Sequence, residues 1–165
     1  MQFTVQEIVK LAVDYAKAHS EDQQRPVGAA VVSYDPYSVT FGTNHCNGAA
    51  IAADKSNVVH AEEDAIRRAL EAGLDLTDGA IFITKAPCHH CAGLIAEAGI
   101  TSVFAPAPDP LSRWHGQQVG ASLYLAGYRD HGVRTIAQHL LSNLGDLIRD
   151  YEEYRNGQDI GDSDW

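Results

Sequence analysis

Val5, Ile8, Val9, Ala12, Val13 and Ala16 recur at intervals of three and four, the spacing that aligns one face of a helix. Thr4, with Glu7 three positions on, supplies a capping-box pattern at its start, so residues 4–18 are predicted to form an amphipathic helix. Beyond a polar stretch that ends at Pro26 the period changes. Residues 27–33 read as a buried strand, Asp35-Pro36 as a turn, and residues 38–44 as a second strand, together an antiparallel hairpin. Residues 45–59 show no period and are expected to form a loop over a site.

Helical spacing returns over residues 61–72, with Ala65, Ile66, Ala69 and Leu70 on one face, Arg67 and Glu71 toward solvent, and Gly73 as the stop. Residues 79–84 are a short apolar run of the kind buried on both faces of a sheet. A third helix over 92–98 ends at Gly99, and a strand follows over 101–105. Strand, helix, strand is the crossover unit of an α/β protein, which places active sites at the carboxyl ends of its strands. Pro106, Pro108 and Pro110 make the next segment a rigid connector. Residues 111–120 are expected as a short polar loop, 121–129 as helix, 133–136 as strand and 140–154 as a closing helix. The last ten residues are rich in Gly and Asp and read as a flexible acidic tail.

The chain has 165 residues, enough for one sizeable core, so residues 1–155 are read as a single domain and 156–165 as its tail. With 45% hydrophobic and 21% charged residues the composition is that of a globular protein, and no apolar run approaches the roughly 20 residues that span a bilayer. The first residues form an amphipathic pattern rather than a signal peptide, so a cytoplasmic location is expected, with cysteines kept reduced. A net charge of −10 disfavours an extended nucleic-acid partner, which needs clustered Lys and Arg, and leaves small substrates open.

That charge makes the chemistry of Cys88-His89-His90-Cys91 the more telling. In a chain with three cysteines, two in a Pro-Cys-x-x-Cys turn point to a metal site, and His60 upstream offers a third ligand. Three protein ligands leave a zinc coordination position open for water, the count of a catalytic rather than a structural site. Glu62, two residues past His60, is spaced to work on that water instead of on the metal. His89 and His90 are rivals for a fourth ligand, but a tight turn between the cysteines would send them away from the metal. Cys-x-x-Cys alone could be a redox pair and His-x-Glu alone an ordinary helix start. Both together, with residues 63–86 between Glu62 and Pro87, 24 residues that hold one helix and one strand, match H-x-E…P-C-x-x-C. Cys46 has no partner motif and reads as an incidental thiol. Asn44, at a strand end, is balanced between a turn role and a contact to a base edge or sugar hydroxyl. Trp114 is read as edge packing ahead of base stacking, and Arg113 beside it as a phosphate ligand.

The segments from His60-Ala61-Glu62-Glu63-Asp64-Ala65-Ile66 and from Pro87-Cys88-His89-His90-Cys91-Ala92-Gly93 to Ile100 resemble the cytidine deaminase-like superfamily, and most of all its deoxycytidylate (dCMP) deaminase branch. The resemblance runs from about Val27 to Ile136, although Asp64 stands where that branch usually has Asn. It implies a three-layer α/β/α fold around a mixed five-stranded sheet and a homo-oligomer. It also implies zinc held by His60, Cys88 and Cys91, with Glu62 shuttling protons while water displaces the amine of a cytosine ring. The implied substrate is a free deoxycytidine nucleotide, converted from dCMP to dUMP; the residues themselves offer Asn44, Ala61 and Trp114 as its neighbours and, on charge, Arg25 and Arg113 for its phosphate. Other members of the superfamily act on free bases, nucleosides or tRNA adenosine. A polynucleotide editor would carry a basic groove, and a non-catalytic zinc module would need no Glu62.

Overall fold

The computed structural model describes residues 2–23, 25–46, 58–127 and 135–141. The first helix, α1 (Val5–His19), starts on the expected capping box, with the Thr4 hydroxyl accepting from the Glu7 N–H and the Glu7 carboxylate accepting from the Thr4 N–H. Strands β1 (Gly28–Tyr34) and β2 (Tyr37–Thr43) form the predicted antiparallel hairpin, in register from Gly28 opposite Thr43 to Tyr34 opposite Tyr37. His45–Cys46 (β3) and Val58–Val59 (β4) then pair with each other in a small antiparallel ladder. The start and end of the expected loop are therefore strand, because each offers the other a matching backbone edge; residues 47–57 lie outside the described part.

Helix α2 (Ala61–Glu71) is followed by β5 (Ala80–Ile83), α3 (His89–Glu97), β6 (Ser102–Ala105), α4 (His115–Leu125) and β7 (Ala137–Leu140). The main sheet runs β2-β1-β5-β6-β7, with β1 antiparallel to β2 and β5, and β5, β6 and β7 parallel. Alternation along the strands divides the core into two layers. Ala29, Val31, Ile81, Ile83, Val103 and Ala105 face α2, α3 and α4. Ala30, Val32, Ala80 and Phe82 face Ile8, Val9 and Ala12 of α1. The result is the three-layer α/β/α arrangement around a mixed five-stranded sheet. Strand β5 is fully buried because it is central in the sheet and covered on both faces.

Several boundaries differ from the sequence reading. Helix α3 begins at His89 rather than Ala92, so its first turn contains the His-His pair instead of following it. Helix α4 begins at His115, six residues before the expected start, and absorbs most of what reads as polar loop. The last strand lies at Ala137–Leu140 rather than 133–136, held by hydrogen bonds from the Ala137 N–H to Thr101 O and from the Leu141 N–H to Ala105 O. Leu140 is therefore strand, and the rest of the expected closing helix and the tail fall outside the described residues. Leu70, expected on the core face of α2, is exposed at 52%. The Pro106–Pro110 connector is irregular, as expected, and leads from β6 into α4.

Candidate active site

Both halves of the motif arrive on helix N-termini. His60 is the N-cap of α2 and Cys88 the N-cap of α3, each with extended backbone, and neither side chain caps its own helix. The positions that usually carry Ser, Thr, Asp or Asn are given instead to groups that face each other across the helix ends. The His60 Nδ1 lies 3.5 Å from the Cys88 Sγ and 3.4 Å from the Cys91 Sγ. With zinc–sulfur bonds of about 2.3 Å and zinc–nitrogen bonds of about 2.0–2.1 Å, a tetrahedral site places sulfur and nitrogen about 3.6 Å apart. The three ligand atoms all lie within 4.8 Å of one another, so the donor set fits zinc in both chemistry and spacing. Cys91 is fully buried behind the site.

The electrostatics agree. The hydrogen bond from the Cys91 thiol pulls Cys88 down to about 3 despite its burial, and the same bond together with burial pushes Cys91 up. Cys88 sits at a helix N-terminus, where the negative charge of a thiolate is favoured. The Cys88 sulfur raises His60 to about 8 against the opposing effect of burial. Burial raises Glu62 above the usual carboxylate range, with His60 pulling the other way. Glu62 lies in the first turn of α2 and is 4% exposed.

Asp64, two residues on in the same turn, has a different task. Wholly buried, it accepts from the Thr43 N–H at 3.0 Å and from Arg68 Nε at 3.0 Å and Arg67 Nη2 at 3.3 Å. It ties the start of α2 to the end of β2. His90, 63% exposed, approaches Glu63 at 3.7 Å, and His89 is exposed as well. Neither joins the ligand cluster: the His89 ring lies against Gly120 of α4, and His90 turns toward Glu63.

A cavity of about 690 Å³ opens over the cluster, within the usual range for a small-molecule site. His60, Ala61, Glu62 and Cys88 line it, as do Asn44, Arg113 and Trp114. Arg25 is not among the lining residues; its backbone is used locally, its N–H donating to Asp22 Oδ1 and its carbonyl accepting from Asn44 Nδ2. Asn44 is 1% exposed, and its carboxamide is engaged with the fold: Oδ1 accepts from the Val27 N–H at 2.9 Å and from the Ser20 hydroxyl at 2.6 Å. One N–H of its amide goes to Arg25 O at 3.0 Å, and the second is left over by that count. Arg113 lies over the Trp114 ring with its guanidinium carbon 5.3 Å from the centroid.

Lys85, Gln117 and Gln118 also line the cavity, and sequence reasoning passed over all three. The two glutamines were hidden by reading 111–120 as loop. A signal was present: Trp114, Gln118, Ala121 and Leu125 are spaced four, three and four apart, a helical stripe with one polar member. Lys85, between β5 and the first cysteine, carried no distinguishing pattern.

Comparison with known proteins bears on this geometry. The model of the cytidine and deoxycytidylate deaminase zinc-binding region matches residues 3–106. An uncharacterized deaminase in the luxG 3′ region of Aliivibrio fischeri is 34% identical over 113 residues, 62% of this chain and 74% of that one. A diaminohydroxyphosphoribosylaminopyrimidine deaminase/5-amino-6-(5-phosphoribosylamino)uracil reductase from Thermotoga maritima superposes with a TM-score of 0.60 at 26% identity, over 90% of this chain and 38% of that one. The dCMP deaminase of the cyanophage S-TIM5, in complex with dCMP and dUMP, shares the fold with a TM-score of 0.57 at 18% identity, over 86% and 99% of the two chains.

Proposed function

The chain belongs to the cytidine and deoxycytidylate deaminase zinc-binding family, and from that premise we propose that it hydrolyses the ring amine of a deoxycytidine nucleotide, dCMP, giving dUMP and ammonia. The observation that carries the reading is one cavity in which the His60, Glu62 and Cys88 side chains share the lining with Lys85 and Arg113. In a chain of net charge −10, two cationic side chains beside the reaction centre suit a small anionic substrate and not a long polyanion.

His60, Cys88 and Cys91 hold the zinc, which when bound supplies the acidity that makes water a nucleophile at neutral pH. Glu62 takes a proton from the attacking water, passes it to the ring nitrogen beside the amine-bearing carbon, and then serves the departing ammonia. Burial favours this: a carboxyl raised above its usual range is a stronger base at the moment of attack. In this reading Arg113, which lies over the Trp114 ring, binds the phosphate, and Trp114 contacts the base. No helix among the described residues is long and apolar enough to cross a membrane, and assembly into a homo-oligomer remains part of this reading.

A second reading keeps the chemistry and changes the ring. The Thermotoga maritima protein is named for a phosphoribosyl aminopyrimidine, and it matches this chain with a higher TM-score and identity than the phage dCMP deaminase. Both named substrates are phosphorylated pyrimidines bearing an amine. The deciding measurement is ammonia release from cytosine, cytidine, deoxycytidine, dCMP, dCTP, the phosphoribosyl aminopyrimidine and an adenosine-containing tRNA stem-loop. Expected is the highest kcat/KM for dCMP, with deoxycytidine far behind, because a phosphate beside the cationic side chains of the cavity adds charge-assisted hydrogen bonds that deoxycytidine cannot make. Equal rates for deoxycytidine and dCMP, or reaction of the RNA alone, overturn the nucleotide reading.

A further inference from the structure

Gln118 is a buried amide in the cavity wall with only its oxygen engaged. It sits on α4, 3% exposed, one helical turn beyond Trp114, and lines the cavity that holds Glu62. Its Oε1 accepts from the Asp109 N–H at 3.3 Å. A backbone N–H can only donate, so this contact settles which end of the carboxamide is oxygen, a choice that side-chain shape alone leaves ambiguous. The NH2 end is therefore the end turned away from Asp109, and it has no hydrogen-bond partner in the described structure. Asp109 is itself held, between Pro108 and Pro110, with its carboxylate accepting from the Leu111 N–H at 2.9 Å. The donor is thus oriented by a stiff segment before any substrate arrives.

We propose that Gln118 is a specificity-determining residue: its NH2 donates to the ring carbonyl that lies one nitrogen away from the amine-bearing carbon of an aminopyrimidine substrate. The inference rests on the hydrolytic deaminase reading and deepens it. In cytosine the sequence of ring atoms is amine-bearing C4, N3, then C2 with its oxygen. Glu62 serves N3, and the neighbouring oxygen is an acceptor that needs a donor once water is displaced. The phosphoribosyl aminopyrimidine named above carries the same amine–carbon–nitrogen–carbonyl order. Adenine has C–H where these rings have the carbonyl, and would displace water from the donor without pairing it, which costs affinity. Gln118 therefore selects oxopyrimidines over adenine by chemistry independent of phosphate recognition.

The test compares dCMP, by its KM, with a neutral carbonyl-free isostere, by its inhibition constant: the 5′-phosphate of a 2-aminopyridine C-deoxynucleoside, in which carbon stands for the glycosylated nitrogen and C–H for the carbonyl, in the zinc-loaded wild type, Gln118→Glu and Gln118→Met. Glu keeps the shape and the Asp109 contact but replaces the donor with an acceptor; Met keeps the length without polarity. Expected is a wild-type preference for the carbonyl-bearing ligand of at least tenfold in affinity that collapses toward unity in both variants, with zinc content and melting temperature unchanged. A preference that survives in both variants overturns the proposal while leaving the deaminase reading standing. Failure of the deaminase reading shows instead in the wild type, as absence of turnover. The ratio is then read from binding of dUMP, which retains the carbonyl, and unaltered dUMP affinity in both variants overturns the proposal. Turnover or binding confined to adenine-bearing substrates in the wild type overturns it as well.

Discussion

The cavity has two walls that are held in different ways. The wall that carries His60, Glu62 and Cys88 is fixed by backbone against backbone. A Cβ on Gly42 of β2 would lie 2.3 Å from the Ala65 nitrogen and 2.6 Å from the Ala61 carbonyl oxygen, so α2 rests on the sheet with no room for a side chain between them. The buried Asp64 locks the same junction through the Thr43 N–H. The wall formed by α4 is held by side chains. A Cβ on Gly120 would lie 2.3 Å from Nε2 of His89, the far end of an exposed imidazole that can swing away. Gln118 is tethered to the connector by one hydrogen bond. The metal-binding wall is therefore intolerant of displacement, as bond lengths to a metal require, whereas added bulk on α4 at Gly120 meets only a side chain that can move.

The sharpest break of that contrast is Cys88→Ala. Losing one of three ligands should reduce zinc from one per chain to near zero and bring deamination to background, read by elemental analysis and ammonia release. Zinc unchanged in this variant would place the metal elsewhere. Within the same wall, Glu62→Gln separates holding metal from using it. Zinc should stay near one per chain while kcat falls by roughly 10²-fold or more, the usual cost of removing a general acid/base. Retained activity would remove Glu62 from the proposed chemistry.

The glycine pair tests the two walls directly and carries smaller effects. Gly42→Ala must push α2 off the sheet, an overpacking that costs about 1–3 kcal/mol and lowers the melting temperature by roughly 2–4 °C for each of them. It should also reduce zinc affinity, because His60 starts that helix. Gly120→Ala should leave melting temperature and zinc almost unchanged, with kcat/KM within about twofold. Equal damage from the two substitutions would show that the walls are held alike.

This asymmetry also explains what could be read from the chain alone. His60, Glu62, Cys88 and Cys91 were legible because a tetrahedral metal dictates both residue type and spacing, and α2 and β5 were legible because their apolar positions repeat cleanly. The α4 wall follows no such rule. Its first turn, His115 to Gln118, is polar, and the N-cap position is held by Trp114 with no side-chain cap, so neither start signal was present. Arg25 was placed near the pocket on charge alone, and charge says nothing about position. Asp64 stood out in the sequence only as a departure from the Asn of the branch it resembles; its role emerges only from the Thr43 N–H that it satisfies.

The connector with Pro106, Pro108 and Pro110 has a consequence for binding energy. Proline restricts the unfolded chain most where φ is already fixed, so ordering this segment gives up less conformational entropy than an ordinary loop of its length would. That loss falls at folding and not when a ligand enters. A hydrogen bond from a donor anchored to such a segment reaches the ligand without the entropy deduction that a mobile loop would impose, and a larger share of its strength is left for telling one ring from another.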